Sequence, residues 1–219
     1  MDDWIAIRRA SFQDVPFIRH LAIESVLYTV PEGRDIDNET VKGKVAEVLK
    51  DLEKWVYRRR ECAVLVAEDT TRDHHRAGYI IIEFNHLEEA TGERQSYVYD
   101  LAVEQGYMGK YVGHRLVREA ARVSHQHGFR YMSANISASN QRALLSAIKL
   151  GFEVERFGLI MACGEKGIDP MPGRPPEQRG HAVNRAMRQL RRQRKNNTTE
   201  EQQSNHEHPD PAAEPSRLS

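Results

Sequence analysis

The stretch Tyr97–Leu116 constrains this chain more than any other. Tyr97–Val103 is rich in β-branched and aromatic residues and carries no helix-period stripe, which predicts a β-strand. From Val112 onward, Val112, Leu116, Ala120 and Val123 recur at three- and four-residue steps, which predicts an amphipathic helix. Between them Gly106, Gly109 and Gly113 mark a tight turn. A strand feeding a glycine-bearing turn at a helix start leaves several backbone N–H groups unpaired in one place. The helix dipole favours an anion there. Two readings follow: a pyrophosphate cradle, or a plain strand–turn–helix connection whose glycines serve turn geometry. On glycine count alone the plain connection is the simpler.

The rest of the chain supplies elements to pack around this unit. Ile5-Ala6-Ile7 alternates into Arg8-Arg9 as a first strand. Ser11 and Asp14 have capping-box spacing, Pro16 fits only near a helix start, and Ile18, Leu21, Ala22 and Val26 form a one-sided stripe. Thr29–Asp37 reads as a loop. Asn38–Arg60 reads as one long helix, with Val41, Val45, Val48, Leu49, Leu52, Trp55 and Val56 on one face and Gly43 weakening it. Ala63–Ala67 and Gly78–Phe84 predict a hairpin across the polar turn Asp69–Arg76, and Asn85–Gln95 a polar loop. Gly128 sits where a helix C-terminal glycine belongs. Tyr131–Ile136 is the next strand, Asn140–Leu150 a helix closed by Gly151, and Phe152–Cys163 a final strand region. This order gives an α/β fold, a mixed sheet with helices on both faces. The central strand and Tyr131–Ile136, joined through a helix, should be parallel.

Composition narrows the function classes. The 219 residues contain 32 Lys+Arg and 32 Asp+Glu, so no bulk charge draws the chain to nucleic acid or acidic membranes. Cys62 and Cys163 are the two cysteines, too few for a disulfide framework or a four-cysteine zinc site. The adjacent His74 and His75 lack a partner at ligand spacing. No metal is expected. Neither a signal-peptide pattern nor a membrane-spanning apolar run is present, which leads to the expectation of a cytoplasmic location. From Gly164 the composition changes. Arg174–Lys195 carries eight basic residues against Glu177, with Val183, Met187 and Leu190 at helical spacing. The expected organisation is a domain over 1–165, a Pro/Gly linker over 166–180, a basic helical segment over 181–195 and a flexible, disordered tail over 196–219. The basic segment either touches RNA, acidic lipid or a protein partner weakly, or is a solvated helix.

Further along, Asn140 is followed by Ala143 and then by Leu150-Gly151-Phe152. Together with Leu101-x-Val103 and the Gly109…Gly113 turn, this resembles the GNAT superfamily of N-acetyltransferases over roughly residues 5 to 163. The order and separations fit, and the Asn140…Phe152 half is the more specific. The resemblance implies a mixed, mostly antiparallel sheet and acetyl-CoA as cosubstrate. Two departures stand out. Aligned on Val103, the family's Arg/Gln turn position holds Met108 and its next glycine is Tyr111. Aligned on Asn140, its frequent tyrosine acid is Ala147.

The chemistry this resemblance implies is direct attack of an amine on the acetyl thioester in a ternary complex. The diphosphate would lie on the turn amides of Met108, Gly109, Lys110, Tyr111, Val112, Gly113 and His114, with Lys110 adding a point charge. The thioester would lie along Leu101, Ala102 and Val103, where a backbone N–H meets the oxyanion. Asn140 would contact the pantetheine arm, cap its helix, or do both. A lysine-like amine has a pKa near 10.4, so a base or a water relay helps. Tyr97 and Tyr99 hold the positions family members often use for it, and Glu83 and Asp100 are carboxylate alternatives, of which Glu83 is preferred. Strand alternation puts Asp100 on the face opposite Tyr97 and Tyr99, barring a bulge. Ala147 cannot protonate the thiolate, but a thiol pKa of ~8.5 makes the thiolate a tolerable leaving group. Two functions stay open: an N-acetyltransferase acting on a small-molecule or protein amine, and a catalytically weak acyl-CoA-binding sensor or partner module. A homodimer is a further expectation.

Overall fold

Two apolar runs that alternate little build the centre of the fold. They are β2 (Cys62–Asp69) and β3 (His75–Leu87). With β1 (Ile5–Arg9), β4 (Arg94–Val103) and β5 (Met132–Ala134) they form a sheet in the order β1-β2-β3-β4-β5. The first three pairings are antiparallel, and β4 and β5 are parallel, joined through α4 (Val112–Gln126). The computed structural model describes residues 4–31, 34–58, 60–164, 167–169 and 188. The chain divides into two units, Met1–Gly173 and Arg174–Ser219. Of the second, only Arg188 is described, so the expectations for the linker, basic segment and tail fall outside the described residues.

Every residue of β2 is buried because both sheet faces are covered. Ala63, Leu65 and Ala67 face α4, meeting Leu116, Ala120 and Val123. Val64 and Val66 face the other way, meeting Ile18, Leu21 and Ala22 of α1 (Val15–Ser25) together with Leu49 and Leu52. Each such large apolar side chain contributes about 1.5–3 kcal/mol on burial. The start of α1 is held by charge. The Asp14 carboxylate is fully buried and accepts from Ser11 N (2.7 Å), Arg8 Nη1 (2.7 Å) and Arg76 Nε (2.6 Å). Burial alone would raise its pKa. The hydrogen bonds from Arg8, Ser11 and Arg76 outweigh that and hold it well below the usual carboxylate range.

Four sequence expectations are corrected. The helix expected over 38–60 is two, α2 (Asn38–Val48) and α3 (Leu52–Tyr57), separated by a 3-10 turn at Leu49–Asp51. Arg19 explains the break: its Nε donates to Leu49 O (3.0 Å) and its Nη2 to Lys50 O (2.6 Å). The tighter turn aims both Leu49 and Leu52 into the core and leaves Val48 exposed. The loop expected over 85–95 is shorter than expected, since β3 runs to Leu87 and β4 starts at Arg94, leaving 88–93 as the turn. Glu88 closes that hairpin by accepting from Thr91 N (2.7 Å) and Thr91 Oγ1 (2.8 Å). The strand expected over 131–136 shrinks to Met132–Ala134. The expected final strand is irregular over 152–161, and β6 (Ala162–Gly164) pairs with β7 (Gly167–Asp169) in a separate sheet. Much of that run is exposed, Leu159 to 93%. Helix α5 (Gln141–Lys149) follows the predicted boundaries closely, yet none of its residues is buried.

Candidate active site

One extra residue in β4 shapes the site. Ile81 pairs with Asp100 and Ile82 with Val98, so Tyr99 is bulged out of register. The bulge resets alternation and brings Asp100 to the same face as Tyr99, overturning the expectation from simple alternation. Tyr99 meets Trp55 edge-on (ring centroids 5.2 Å apart, 82° between planes). The Tyr79 hydroxyl donates to Asp100 Oδ2 at 2.5 Å. Trp55 and Tyr79 both belong to the core on the α1 side. Tyr97 lies opposite Glu83 in the ladder and stacks on His86 at 4.7 Å.

The electrostatics of this cluster are one-sided. Burial pushes the Tyr97 phenol up, partly offset by a hydrogen bond with Asn135. Burial also pushes Tyr99 up, with Asp100, Tyr97 and Glu83 adding through their charges. Both phenols therefore stay protonated at neutral pH, as hydroxyls that can donate a hydrogen bond. Asp100 is raised by burial, against the lowering pull of its bonds from Tyr79 and from Leu101 N. Glu83 is exposed. Cys62 is no nucleophile: burial pushes its thiol up to about 11.

Beside this cluster β4 has an open edge. Strand β5 pairs with it only at Ser96, Tyr97 and Val98, so among the described residues no strand covers 99–103 on the edge away from β3. Leu101 N donates to Asp100 Oδ1 at 2.9 Å. Glu104 N donates to Ala77 O, so alternation turns Ala102 N toward β3 and Val103 N toward the open edge.

The turn after β4 is pinned by Tyr107, which is buried. Its hydroxyl donates to Asp69 Oδ2 at 2.9 Å, and its ring stacks with Trp4 and with His75. His75 Nε2 in turn lies 2.7 Å from Glu104 Oε2, while His74 pairs separately with Glu68. Gly109 has φ +81 and Tyr111 φ +62, so two left-handed residues bend the chain into α4. Among the described residues no backbone carbonyl accepts from the N–H of Gly109, Tyr111, Val112, Gly113 or His114. The last three belong to the first turn of α4, where N–H groups project from the helix end. The Tyr111 side chain does not cover them from within, being 72% exposed and edge-on to His114. Val112 is buried, and Gly113 packs against Val103 Cγ2 closely enough that an added Cβ would touch it at 3.5 Å.

Lys110 lies away from its expected place, and Asn140 takes the capping role expected of it. Lys110 Nζ sits over the Tyr107 ring at 5.3 Å rather than at the turn amides. Asn140 caps α5, its Oδ1 accepting from Ala143 N at 3.1 Å. Met108, expected only for its amide, has Arg142 against its side chain: Nη1 is 3.9 Å from Met108 Sδ. Sequence reasoning passed over Arg142. Its only signal is a basic residue two positions past the Asn140 cap.

Among the described residues no three metal-ligating side chains are grouped, and no helix is long and apolar enough to cross a membrane. A search of curated proteins finds no sequence match. Solved structures share the fold. PaiA N-acetyltransferase from Thermoplasma acidophilum, in complex with coenzyme A, superposes with a TM-score of 0.58 at 20% identity, over 70% of this chain and 92% of that one. Aminoglycoside 6′-N-acetyltransferase from Acinetobacter haemolyticus gives 0.54 at 14% identity, over 72% and 97%. Ribosomal-protein-alanine N-acetyltransferase from Brucella melitensis gives 0.51 at 14% identity, over 73% and 99%. The family model for the acetyltransferase (GNAT) family matches residues 31–152. Because that match takes in more than half of the sequence, from the loop before α2 to just past α5, the chain belongs to the acetyltransferase (GNAT) family.

Proposed function

We propose that this protein transfers an acetyl group from acetyl-CoA to a primary amine by direct attack in a ternary complex. One observation carries the reading: the unpaired amides of Gly109, Tyr111, Val112, Gly113 and His114 at the start of a 15-residue helix. Such a helix end is suited to a diphosphate. The open β4 edge beside it offers Val103 N–H to the thioester or pantetheine arm, since Leu101 N–H is engaged by Asp100. The amine acceptor lies against Tyr97, Tyr99 and Glu83, which share one face of the sheet.

The bonds then change as follows. The amine lone pair attacks the thioester carbon and the carbonyl oxygen takes up charge. The C–S bond breaks, with its electron pair going to sulfur. The amine proton leaves through Glu83, or through water ordered by Tyr97 and Tyr99, and returns to solvent or the thiolate. Asp100 is a further carboxylate on this face, held by Tyr79.

The test is thermal. Excess acetyl-CoA should raise the melting temperature, by RT ln(1 + [L]/Kd) of added stability. No shift at millimolar acetyl-CoA removes the reading. A second reading is favoured by Ala147, Met108 and the upward push on both tyrosines: acyl-CoA binding with little turnover, as a sensor or partner module. Thiol release across a panel of amines separates the two once binding is established.

A further inference from the structure

On the reading that acetyl-CoA is the donor, we propose that Arg142 supplies from α5 the cation that residue 108 lacks, clamping the CoA diphosphate against the turn amides. Three observations converge. Met108 is uncharged and faces Arg142, whose Nη1 lies 3.9 Å from its sulfur. The guanidinium also lies against Gly109, where an added Cβ would be in ordinary contact at 3.6 Å from Arg142 Nη2. Lys110, the turn's own cation, is turned onto the Tyr107 ring instead. Among the described residues the recorded hydrogen-bond partner of the Arg142 guanidinium is that thioether, a weak acceptor, and no carboxylate neutralises it. The fork is therefore available for an anion. Guanidinium matches phosphate oxygens in bidentate geometry and sheds water more readily than an ammonium. The amides approach the anion from the α4 end and Arg142 from the α5 end, so the two helices close on one group.

The experiment compares coenzyme A, 3′-dephospho-CoA and pantetheine as ligands of the full chain, read by calorimetry and by thermal shift. Arg142→Gln should weaken coenzyme A and dephospho-CoA alike by about tenfold, the scale of one charge-assisted contact at an exposed site. Pantetheine, which has no diphosphate, should bind as before. In the Arg142→Gln background, Met108→Arg should recover most of the lost affinity by returning a cation from the turn. Arg142 is exposed, so the melting temperature without ligand should not move. Unchanged coenzyme A affinity in Arg142→Gln overturns the proposal. So does a loss confined to coenzyme A with dephospho-CoA unaffected, because the guanidinium would then read the 3′-phosphate. An equal loss with pantetheine overturns it too, by showing a distorted site. If the wild-type chain binds none of the three, the acetyl-CoA reading itself falls; binding with no Arg142 effect removes this inference alone.

Discussion

Helices α4 and α5 both begin at the candidate site and carry comparable apolar stripes, yet the fold treats them differently. In α4, Val112, Leu116, Ala120 and Val123 are all 4% exposed or less and join the core beneath the sheet. In α5, Leu144, Leu145 and Ile148 are only half-buried and belong to neither apolar cluster. Periodicity fixes which face of a helix is apolar. What covers that face depends on the layer opposite. For α4 that layer is β2 and β3, while β5, at the far edge, has only three residues. One wall of the site is therefore built into the core and the other rests on it. The sharpest way to break this contrast is Leu116→Ala. It should cost about 3 kcal/mol, within the range for a fully buried leucine, and chemical denaturation should show it. A loss under about 1 kcal/mol would mean that α4 is no better anchored than α5.

A second contrast concerns the means of anchoring. Helix α4 is held by apolar contact, which pH does not change. Helix α1 adds to its apolar face a charged anchor at its start, Asp14, enclosed by Arg8 and Arg76. The folded pKa of Asp14 lies below its unfolded value of about 3.9. Its contribution is thus complete above that value and is lost as pH falls through the acid range. Asp14→Asn should cost about 3 kcal/mol at pH 7, because it leaves two arginines facing a neutral amide. It should also flatten the acid limb of the stability profile below about pH 4. An unaltered acid limb would place the acid sensitivity elsewhere.

The looser wall predicts a smaller effect and a ligand response. Leu144→Ala should cost about 1 kcal/mol or less, since a half-buried side chain loses little transfer energy and leaves no closed cavity. Amide exchange should be faster in α5 than in α4 without ligand, because few buried contacts hold it. Coenzyme A should slow it more in α5 than in α4. Equal protection before and after would erase the distinction between the walls.

The same contrast explains what the sequence made legible. The strand–turn–helix from Tyr97 to Gln126 could be read because its signals are local: glycines, a stripe and a β-rich run. Asn140 as a cap and Gly151 as a helix stop, with φ +100, were equally local. The bulge at Tyr99 was not legible, since it is a property of the pairing with Ile81 and Ile82. Nor was the break at Leu49–Asp51, which depends on an arginine thirty residues earlier. Phe152–Cys163 reads as a strand because its residues suit one, but composition does not report whether a partner edge lies beside it, and 152–161 is irregular. The face proposed for the acceptor is built from such non-local pieces, which local sequence signals do not report.

The smallest expected effect lies where the firm wall begins. Tyr111 occupies a left-handed conformation that the resembled family often gives to glycine. For a residue with a Cβ this conformation costs roughly 1–2 kcal/mol. Tyr111→Gly relieves that strain but gives the unfolded chain more freedom, worth about 0.4–1 kcal/mol in the other direction. The net gain should be about 0.5 kcal/mol, a shift of a degree or two in melting temperature. The informative readout is coenzyme A affinity. Without the Cβ the backbone can approach the diphosphate more closely, so affinity should rise a few-fold while α5 protection rises with it. A fall in affinity would mean that the exposed Tyr111 ring itself covers the cofactor. The turn would then hold its ligand partly by a side chain, and the firm wall would no longer be a purely main-chain device.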